Sequence, residues 1–549
     1  MGGMIKVILS LKQGIIPATI GINDALSSKN KGIYEDHIVS EKINWPHKMS
    51  ERIAAVSAFG FGGTNAHIIF ESSDSKKVKS TIQKKKILKK EDSLVAIVGM
   101  DAIFGGCDGI NEIYKTIFDN KQHFLKLPHE RFKGFEIHPE LLKTPHGSWL
   151  ESFDMDFLRF KLQPNKKERL IPQQLLALKV SDRAIKKTKL VEGQNVAVIV
   201  AMETELEIHR FRGRVNIATQ FEESLKNSGI ILSENEREQL ISISKDSILE
   251  EVPINRFTSF IGNLIAARIS SLWDFSGPSF TISSGENSVY RALDIAEMIL
   301  REENCEAVVV TAVDLAGSPE NVLKRQRKNP INSLNYSLSF EKDANGWMIG
   351  EGAGSVVLKN FINANKDNEE IFAVIDAIEF SNEISALSVE NAAKKALKRA
   401  NIKTKDIGML EVFASGNVEE DKSEMLGLSN FYAGKIPVCG ISGTKANFGH
   451  TFSASGMASL IKVALCLYHR FIPGIPNWNS SKKELNSENI FYTTLESKPW
   501  LIQPGVKKRF AAISGLGEDN VCSHLILSEA PRNFRKKKEF NNFFEIFLF

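Results

Sequence analysis

The sequence predicts an α/β fold in which mixed sheets are covered by helices. Short runs of β-branched residues, typical of buried strands, recur at residues 95–99, 196–200, 307–311 and 354–358. Helical periodicity of the apolar residues is clear over residues 288–301 and 392–400. An alternation of such strands and helices is typical of sheets whose faces pack against helices.

The composition is that of an ordinary soluble chain and excludes several classes of partner. The 549 residues carry 70 basic and 66 acidic side chains, which is too balanced to predict a nucleic-acid or membrane surface. No apolar stretch approaches the ~20 residues that span a bilayer. No signal peptide stands at the start, so we expect no membrane insertion and a cytoplasmic location. No metal-ligand spacing or phosphate-binding loop stands out, so we expect no bound cofactor or metal.

The cysteines do not suggest a disulfide framework or a metal site. The five cysteines are scattered, and none forms a CxxC pair. We therefore expect free, buried thiols.

An internal repeat is the most informative feature of the organisation. Two pairs of segments and one pair of single residues have similar sequences at an offset of 456 or 457 residues. They are residues 1–7 with 457–463, residues 52–57 with 509–514, and His67 with His524. The segment 1–71 therefore corresponds to only the last part of a domain whose complete copy is predicted at 94–531. A fragment of this size exposes apolar faces that the rest of the domain should cover. A truncated start or a split gene is favoured over a second chain that supplies the rest. We expect residues 72–93 to be a Lys-rich linker, and residues 532–549 a basic and aromatic tail.

Six segments stand out as motifs. They are residues 95–100 (an opening strand), 171–174 (like DPQQ), 277–282 (a strand before a nucleophile), 344–354 (like DGF-x-x-GEGAG), 445–451 (like KTNIGHT) and 59–67 (a C-terminal glycine-rich turn). Together they resemble the β-ketoacyl synthases, the thiolase-fold condensing enzymes of fatty-acid and polyketide synthesis. The resemblance implies a thiolase-like fold with two similar halves, and it identifies residues 1–71 as the C-terminal fragment of a ketosynthase domain.

Members of this family use a cysteine nucleophile and two catalytic histidines. The resemblance implies that this chain keeps only one of the three, a histidine. Glu286 stands at the cysteine position and Phe413 at the first histidine position, whereas His450 keeps the second, with Lys445 beside it. We interpret Glu286 as a structural or pocket-shaping residue, because a carboxylate suits a helix N-terminus. A part in decarboxylation or in covalent catalysis is the alternative. Phe413 is interpreted as core packing, and His450 as a residue that holds its loop or retains some function.

The glycine-rich turn that gates acyl entry in the family differs between the two copies. Phe59-Gly60-Phe61 of the first copy becomes Leu516-Gly517-Glu518 in the second. We therefore expect the gate of the complete domain to be rebuilt.

Loss of the nucleophile with retention of the scaffold is the pattern of chain length factors. The resemblance implies that residues 94–531 form a heterodimer with a cognate ketosynthase and help to bound its acyl tunnel, in fatty acid (including polyunsaturated) or polyketide synthesis. Substrates would arrive on the phosphopantetheine arm of an acyl carrier protein. Whether the chain condenses on its own stays open. Three alternatives remain: decarboxylation of malonyl carrier protein by Glu286 and His450, docking of an acidic carrier protein on the lysines of residues 76–90, and a truncated gene remnant.

Overall fold

The chain divides into two compact units, Met1–Leu88 and Lys89–Phe549, and each is described separately. The computed structural model describes residues 1–23, 37–60, 65–72, 94–126, 128–132, 146–162, 170–206, 208–249, 258–302, 304–315, 317–327, 329–332, 336–432, 439–482, 491–502 and 504–531. Most of the predicted linker, part of the first glycine-rich turn and the predicted tail lie outside these residues.

Among its described residues, the first unit contains one α-helix, a short 3-10 helix (Met49–Glu51) and two antiparallel strand pairs. Its elements are α1 (Gly2–Gln13), β1 (Ile15–Ile16), β2 (Ile43–Asn44), β3 (Ile53–Phe59) and β4 (Asn65–Glu71). Strand β1 pairs with β2, and β3 pairs with β4. Helix α1 packs against β3 and β4. Alternate residues of β3 are partly buried or exposed, so the helix covers one face of this hairpin.

The second unit contains the remaining elements. Strands β5 to β12 are Val95–Phe104, Cys107–Asp108, Leu125–Lys126, His146–Ser148, Val196–Ala201, Ser279–Ile282, Ala307–Leu315 and Ile349–Asn360. Strands β13 to β20 are Ala373–Asn382, Ile407–Glu411, Cys439–Ser442, Phe471–Ile472, Phe491–Tyr492, Lys498–Pro499, Phe510–Gly517 and Val521–Ser528. Helices α2 to α7 are Ile110–Phe118, Pro172–Lys186, Ile208–Ser228, Glu234–Ile248, Gly262–Leu272 and Ser288–Arg301. Helices α8 to α13 are Pro319–Gln326, Phe361–Lys366, Ala386–Ala400, Val418–Tyr432, Lys445–Phe448 and Ser455–His469.

The predicted strands and helices are confirmed. The four β-branched runs lie within β5, β9, β11 and β12. Helix α7 has the bounds that its periodicity predicts, and residues 392–400 lie within α10. Every residue of β5 is buried, as expected for a strand covered on both faces.

The second unit is built from two halves with the same topology, as predicted. The strand order is β10-β9-β11-β12-β5 in one half and β15-β14-β19-β20-β13 in the other. In each half the first three strands are parallel and the last two antiparallel to their neighbours. Strands β5 and β13 pair with each other and join the halves. Helices α7 and α13 occupy equivalent places along the chain, since α7 lies between β10 and β11 and α13 lies between β15 and β19.

Three of the four hydrophobic clusters among the described residues define five layers. The central cluster contains α7 and α13 together with strands from both halves. An outer cluster packs α3 and α6 on the first half, and another packs α10 and α11 on the second. The layers therefore follow the order α–β–α–β–α, with the N-termini of α7 and α13 inside the molecule.

The internal repeat is visible in the geometry of the two copies. Helix α1 ends at Gly14 in the left-handed conformation, and α13 ends in the same way at Arg470. Two antiparallel pairs have the same register: Ser57 lies opposite His67 in the first unit, and Ser514 lies opposite His524 in the second. Because the correspondence extends to backbone conformation and strand register, the two segments are copies of one structural element.

Two negative findings concern the described part of the chain. No helix among these residues has both the length and the hydropathy needed to cross a membrane. Within the same residues, no group of three acidic, histidine or cysteine side chains is placed to hold a metal ion. All five cysteines are free and buried, as predicted.

Candidate active-site cavity

Glu286 lies where β10 is joined to the central helix α7. A single 3-10 turn, Gly285–Asn287, connects the two elements, and Gly285 has a φ of +55° that favours glycine. This turn points the Glu286 side chain inward, and the residue is only 7% exposed. Its Oε2 accepts a hydrogen bond of 3.0 Å from the backbone N–H of Glu518. The rebuilt gate turn therefore contacts the residue at the nucleophile position.

His450 is held beside Glu286 by a close approach of two backbones. A Cβ on Gly449 would lie 2.2 Å from the carbonyl oxygen of Ile349, so only glycine lets this loop reach β12. The His450 N–H donates to the Met348 carbonyl at 2.7 Å, which fixes the loop. The imidazole Nε2 then lies 3.8 Å from Glu286 Oε1.

Hydrogen bonds determine which imidazole nitrogen of His450 carries the proton. Nδ1 accepts the backbone N–H of Phe452 at 3.1 Å, and the Ser455 hydroxyl lies 3.0 Å from it. The neutral ring therefore carries its hydrogen on Nε2, the atom that faces Glu286. Burial, followed by the nearby cations Lys445 and Arg325, lowers the pKa of His450 well below its usual value, so the ring is neutral.

Phe413 contacts both His450 and Lys445. Phe413 follows β14, and the two backbone N–H groups of Phe413 and Ala414 donate to the buried Glu424 carboxylate at 2.7 and 2.8 Å. The Lys445 ammonium lies 3.6 Å from the centre of the Phe413 ring and donates to the Phe413 carbonyl. The Phe413 and His450 rings meet edge to face, with their centres 5.6 Å apart.

One cavity of about 120 Å³ brings the predicted residues together. Glu286, Phe413 and His450 line it, whereas Lys445 reaches Phe413 without lining the cavity. Other residues that line the cavity were not predicted from the sequence, among them Arg325, Trp347, Phe452 and Glu420. The sequence does not identify Arg325 as a cavity residue. It lies between Lys324 and Arg327, and such a run of basic residues at a helix end is typical of a solvent-exposed face.

The charges of the site follow from burial. Burial raises the pKa of Glu286 to about 7, against the opposing effects of backbone N–H donors and of Arg325. Burial lowers the pKa of Lys445 to about 8, and the carboxylate of Glu424 is the first of the groups that oppose the shift. The cavity thus holds a carboxyl group that is partly protonated near neutral pH beside a neutral imidazole N–H. Among the described residues that line the cavity there is no cysteine.

Comparisons with known proteins agree on one family. The chain matches the model of the β-ketoacyl synthase N-terminal domain over residues 92–362 and that of its C-terminal domain over residues 378–479. It also matches the ketoacyl-synthetase C-terminal extension over residues 35–127.

Individual relatives cover nearly the whole chain. One of the polyunsaturated fatty acid synthase subunits from Thraustochytrium sp. is 34% identical over 97% of this chain and 26% of that protein. The solved structure of PfaC keto synthase–chain length factor is 39% identical, with a TM-score of 0.79 over 96% of this chain and 52% of that one. The chain therefore spans about a quarter and about half of these relatives.

More distant structures share the fold. The ketosynthase from module 6 of the Bacillus subtilis 168 bacillaene synthase matches with a TM-score of 0.64 at 21% identity, over 80% of this chain and 72% of that one. The fold is therefore the thiolase-like ketosynthase fold that the motifs predict. With these models matched along it, and its motif residues gathered around one cavity, the chain belongs to the β-ketoacyl synthase family.

Proposed function

We propose that residues 94–531 act as a chain-length-factor-like partner of a β-ketoacyl carrier-protein synthase. The observation that carries the proposal is the cavity at the N-terminus of α7, where Glu286 lies in place of a thiol and Phe413 in place of a histidine. Phenylalanine neither donates a hydrogen bond nor carries a proton, so general acid–base chemistry at that position is lost. The similarity to a keto synthase–chain length factor and to part of a polyunsaturated fatty acid synthase supports the same role.

The size of the cavity supports a role other than condensation. Ligand pockets of proteins usually measure about 300–1,000 Å³. The cavity beside Glu286 is about 120 Å³, which is too small for a fatty acyl group and a pantetheine arm. In this proposal the domain shapes the acyl tunnel of its ketosynthase partner from outside that partner's active site. Its substrates arrive on an acyl carrier protein, in the synthesis of fatty acids, including polyunsaturated ones, or of polyketides.

The first unit is proposed to be the C-terminal fragment of that ketosynthase partner. Three apolar residues on its outer face, Ile53, Phe59 and Ile69, are 61%, 81% and 67% exposed. At matching positions of the second unit stand Phe510, Leu516 and Ile526, which are 8%, 1% and 0% exposed.

The residues that bury these three side chains in the second unit indicate which elements would bury their counterparts in the first unit. Helices α10 and α11 bury them, in a cluster that includes Val389, Ala393 and Leu428. The outer face of the β3–β4 hairpin therefore fits a pair of helices of the same kind from the rest of a ketosynthase.

Condensation assays test the proposed role. We expect no condensation of acyl and malonyl carrier protein by this chain alone, and condensation when a complete ketosynthase from the same type of synthase is added. Product length is measured by mass spectrometry, and the released carbon dioxide is trapped and quantified. Condensation by the chain alone contradicts the proposal. Carbon dioxide release by the chain alone, abolished by Glu286→Ala and by His450→Ala, would instead favour the decarboxylase alternative, which the 3.8 Å approach of these two side chains permits.

Association assays test the face of the first unit. We expect this chain to co-purify with the part of a ketosynthase equivalent to residues 94–456, and Ile69→Glu to weaken that association more than tenfold. Burial of one such side chain contributes about 1.5–3 kcal/mol, and a charge in its place adds a desolvation cost. The matched control is Ile231→Glu, because Ile231 is 94% exposed on the second unit. Equal association of the wild-type and Ile69→Glu chains would contradict the assignment of this face.

A further inference from the structure

Arg325 is a largely buried cation that the proposed function does not use. It lies near the end of α8, and its side chain is only 10% exposed. The guanidinium carbon lies 3.5 Å from the centre of the Phe452 ring and 5.5 Å from that of Trp347. The next arginine along the chain, Arg327, is exposed. The sequence alone does not distinguish the two.

The charge of Arg325 is only partly paired within hydrogen-bonding distance. Its only carboxylate within ion-pair distance among the described residues is Asp314, at 3.8 Å, a distance too long for a hydrogen bond. Nη1 is buried and has no hydrogen-bond partner in the described part of the chain. A buried ion with incomplete pairing destabilises a protein relative to an apolar residue. A role other than stability is therefore needed to explain this residue.

The position of Arg325 separates two empty spaces. On one side is the cavity of about 120 Å³ that contains Glu286, and on the other a pocket of about 420 Å³. Asp314 lines only the larger pocket and Arg325 only the smaller cavity, whereas Lys324, Phe452 and Glu518 line both. Since Arg325 stacks on Phe452 and faces Asp314, its guanidinium lies between the two spaces. The smaller cavity alone is below the range of about 300–1,000 Å³ that ligand pockets usually have, and only if it were joined to the larger pocket would the space beside Glu286 lie within that range.

We propose that Arg325 closes the acyl pocket of this domain, so that no long acyl chain can lie beside residue 286. The domain is then inactive for two independent reasons: it lacks a thiol, and the space that an acyl group would fill is occupied. This inference rests on the proposed function only in treating the cavity at Glu286 as the counterpart of a ketosynthase substrate site. Arg325 is in this sense a specificity-determining residue that keeps acyl chains in the partner's tunnel.

A thiol reporter at residue 286 tests the closure in the full chain. In Glu286→Cys, the thiolate displaces iodide from an iodoacetamide, forming a carbon–sulfur bond and releasing iodide. The probes are iodoacetamide itself and an N-dodecyl iodoacetamide, and labelling at residue 286 is followed by peptide mass spectrometry. We expect iodoacetamide to label Glu286→Cys and Glu286→Cys/Arg325→Ala at rates within threefold. The dodecyl probe should label the double variant at least tenfold faster than the single one.

The controls separate closure from misfolding and from the proposed function. Glu286→Cys/Arg327→Ala should behave like Glu286→Cys, because Arg327 is exposed. Glu286→Cys/Arg325→Leu, which keeps an apolar contact to Phe452, should also admit the dodecyl probe. This variant replaces Glu286→Cys/Arg325→Ala in the assay if the alanine variant does not fold. Fast dodecyl labelling of Glu286→Cys alone, or slow labelling in both Arg325 variants, overturns the proposal. Because the assay involves no ketosynthase, its failure would leave the partner role standing.

Discussion

Replacing Glu411 with glutamine is expected to lower the free energy of unfolding by about 3–5 kcal/mol, because it leaves Lys462 buried without a counter-charge. Glu411 ends β14 and is 0% exposed, and Lys462 on α13 is 1% exposed. The Lys462 ammonium lies 3.3 Å from Glu411 Oε2. The same carboxylate accepts hydrogen bonds from Ser442 and Thr444. Glu411 thus connects strand β14, which leads to Phe413, with the buried helix α13.

Chemical denaturation of the single and double variants measures this effect. Lys462→Met removes the cation and keeps the length of the stem. The double variant Glu411→Gln/Lys462→Met should therefore recover most of the loss, since it buries no unpaired charge. A loss below about 1 kcal/mol in Glu411→Gln, or no recovery in the double variant, would show that the ion pair does not determine stability here.

Replacing Glu286 with glutamine is expected to stabilise the protein at pH 8 and not at acidic pH. The folded-state pKa of Glu286 is raised from the usual 4.5 to about 7. The unfolded chain therefore loses this proton at lower pH than the folded chain does, and stability falls as the pH rises from about 4.5 to about 7. Glutamine removes the penalty, which amounts to about 3 kcal/mol above pH 7. At pH 5 the gain should be below about 1 kcal/mol.

Denaturation curves at pH 5 and pH 8 provide the measurement. The matched control is Glu238→Gln, an exposed glutamate within α5, whose replacement should change stability by the same small amount at both pH values. A gain in Glu286→Gln that is equal at pH 5 and pH 8 would argue against a raised pKa. The absence of any stabilisation of Glu286→Gln at pH 8 would also argue against a raised pKa of Glu286. A positive result would also fit a pocket-shaping Glu286, because selection for stability alone would not keep a carboxylate there.

Local sequence patterns were sufficient to predict four of the longer strands, the central helix α7 and the repeat. The predictions at β5, β9, β11 and β12 succeeded because buried strands covered on both faces carry long apolar runs. Helix α7 was predicted with its correct bounds because one face packs into the core while the other carries polar residues. The repeat was readable because matching residues at a constant offset occupy matching registers, as Ser57 with His67 and Ser514 with His524 do. These features depend on residues that are near each other along the chain.

The motifs also placed three residues that meet in one cavity. Family motifs identified Glu286, Phe413 and His450 as equivalents of catalytic positions, and all three line the cavity. Their roles stay predictions until the variants are measured.

The chemistry of that cavity, in contrast, depends on the tertiary structure. The 3.8 Å approach of His450 to Glu286 joins residues from different halves of the fold, and it depends on a backbone contact between the Gly449 loop and β12. The raised pKa of Glu286 and the neutral state of His450 result from burial by residues that are distant in sequence. Arg325 and its exposed neighbour Arg327 look alike in sequence, and only packing against Phe452 distinguishes them. Local patterns encode which segments become helices or strands, whereas charge state, enclosed volume and access depend on non-local contacts that no local pattern contains.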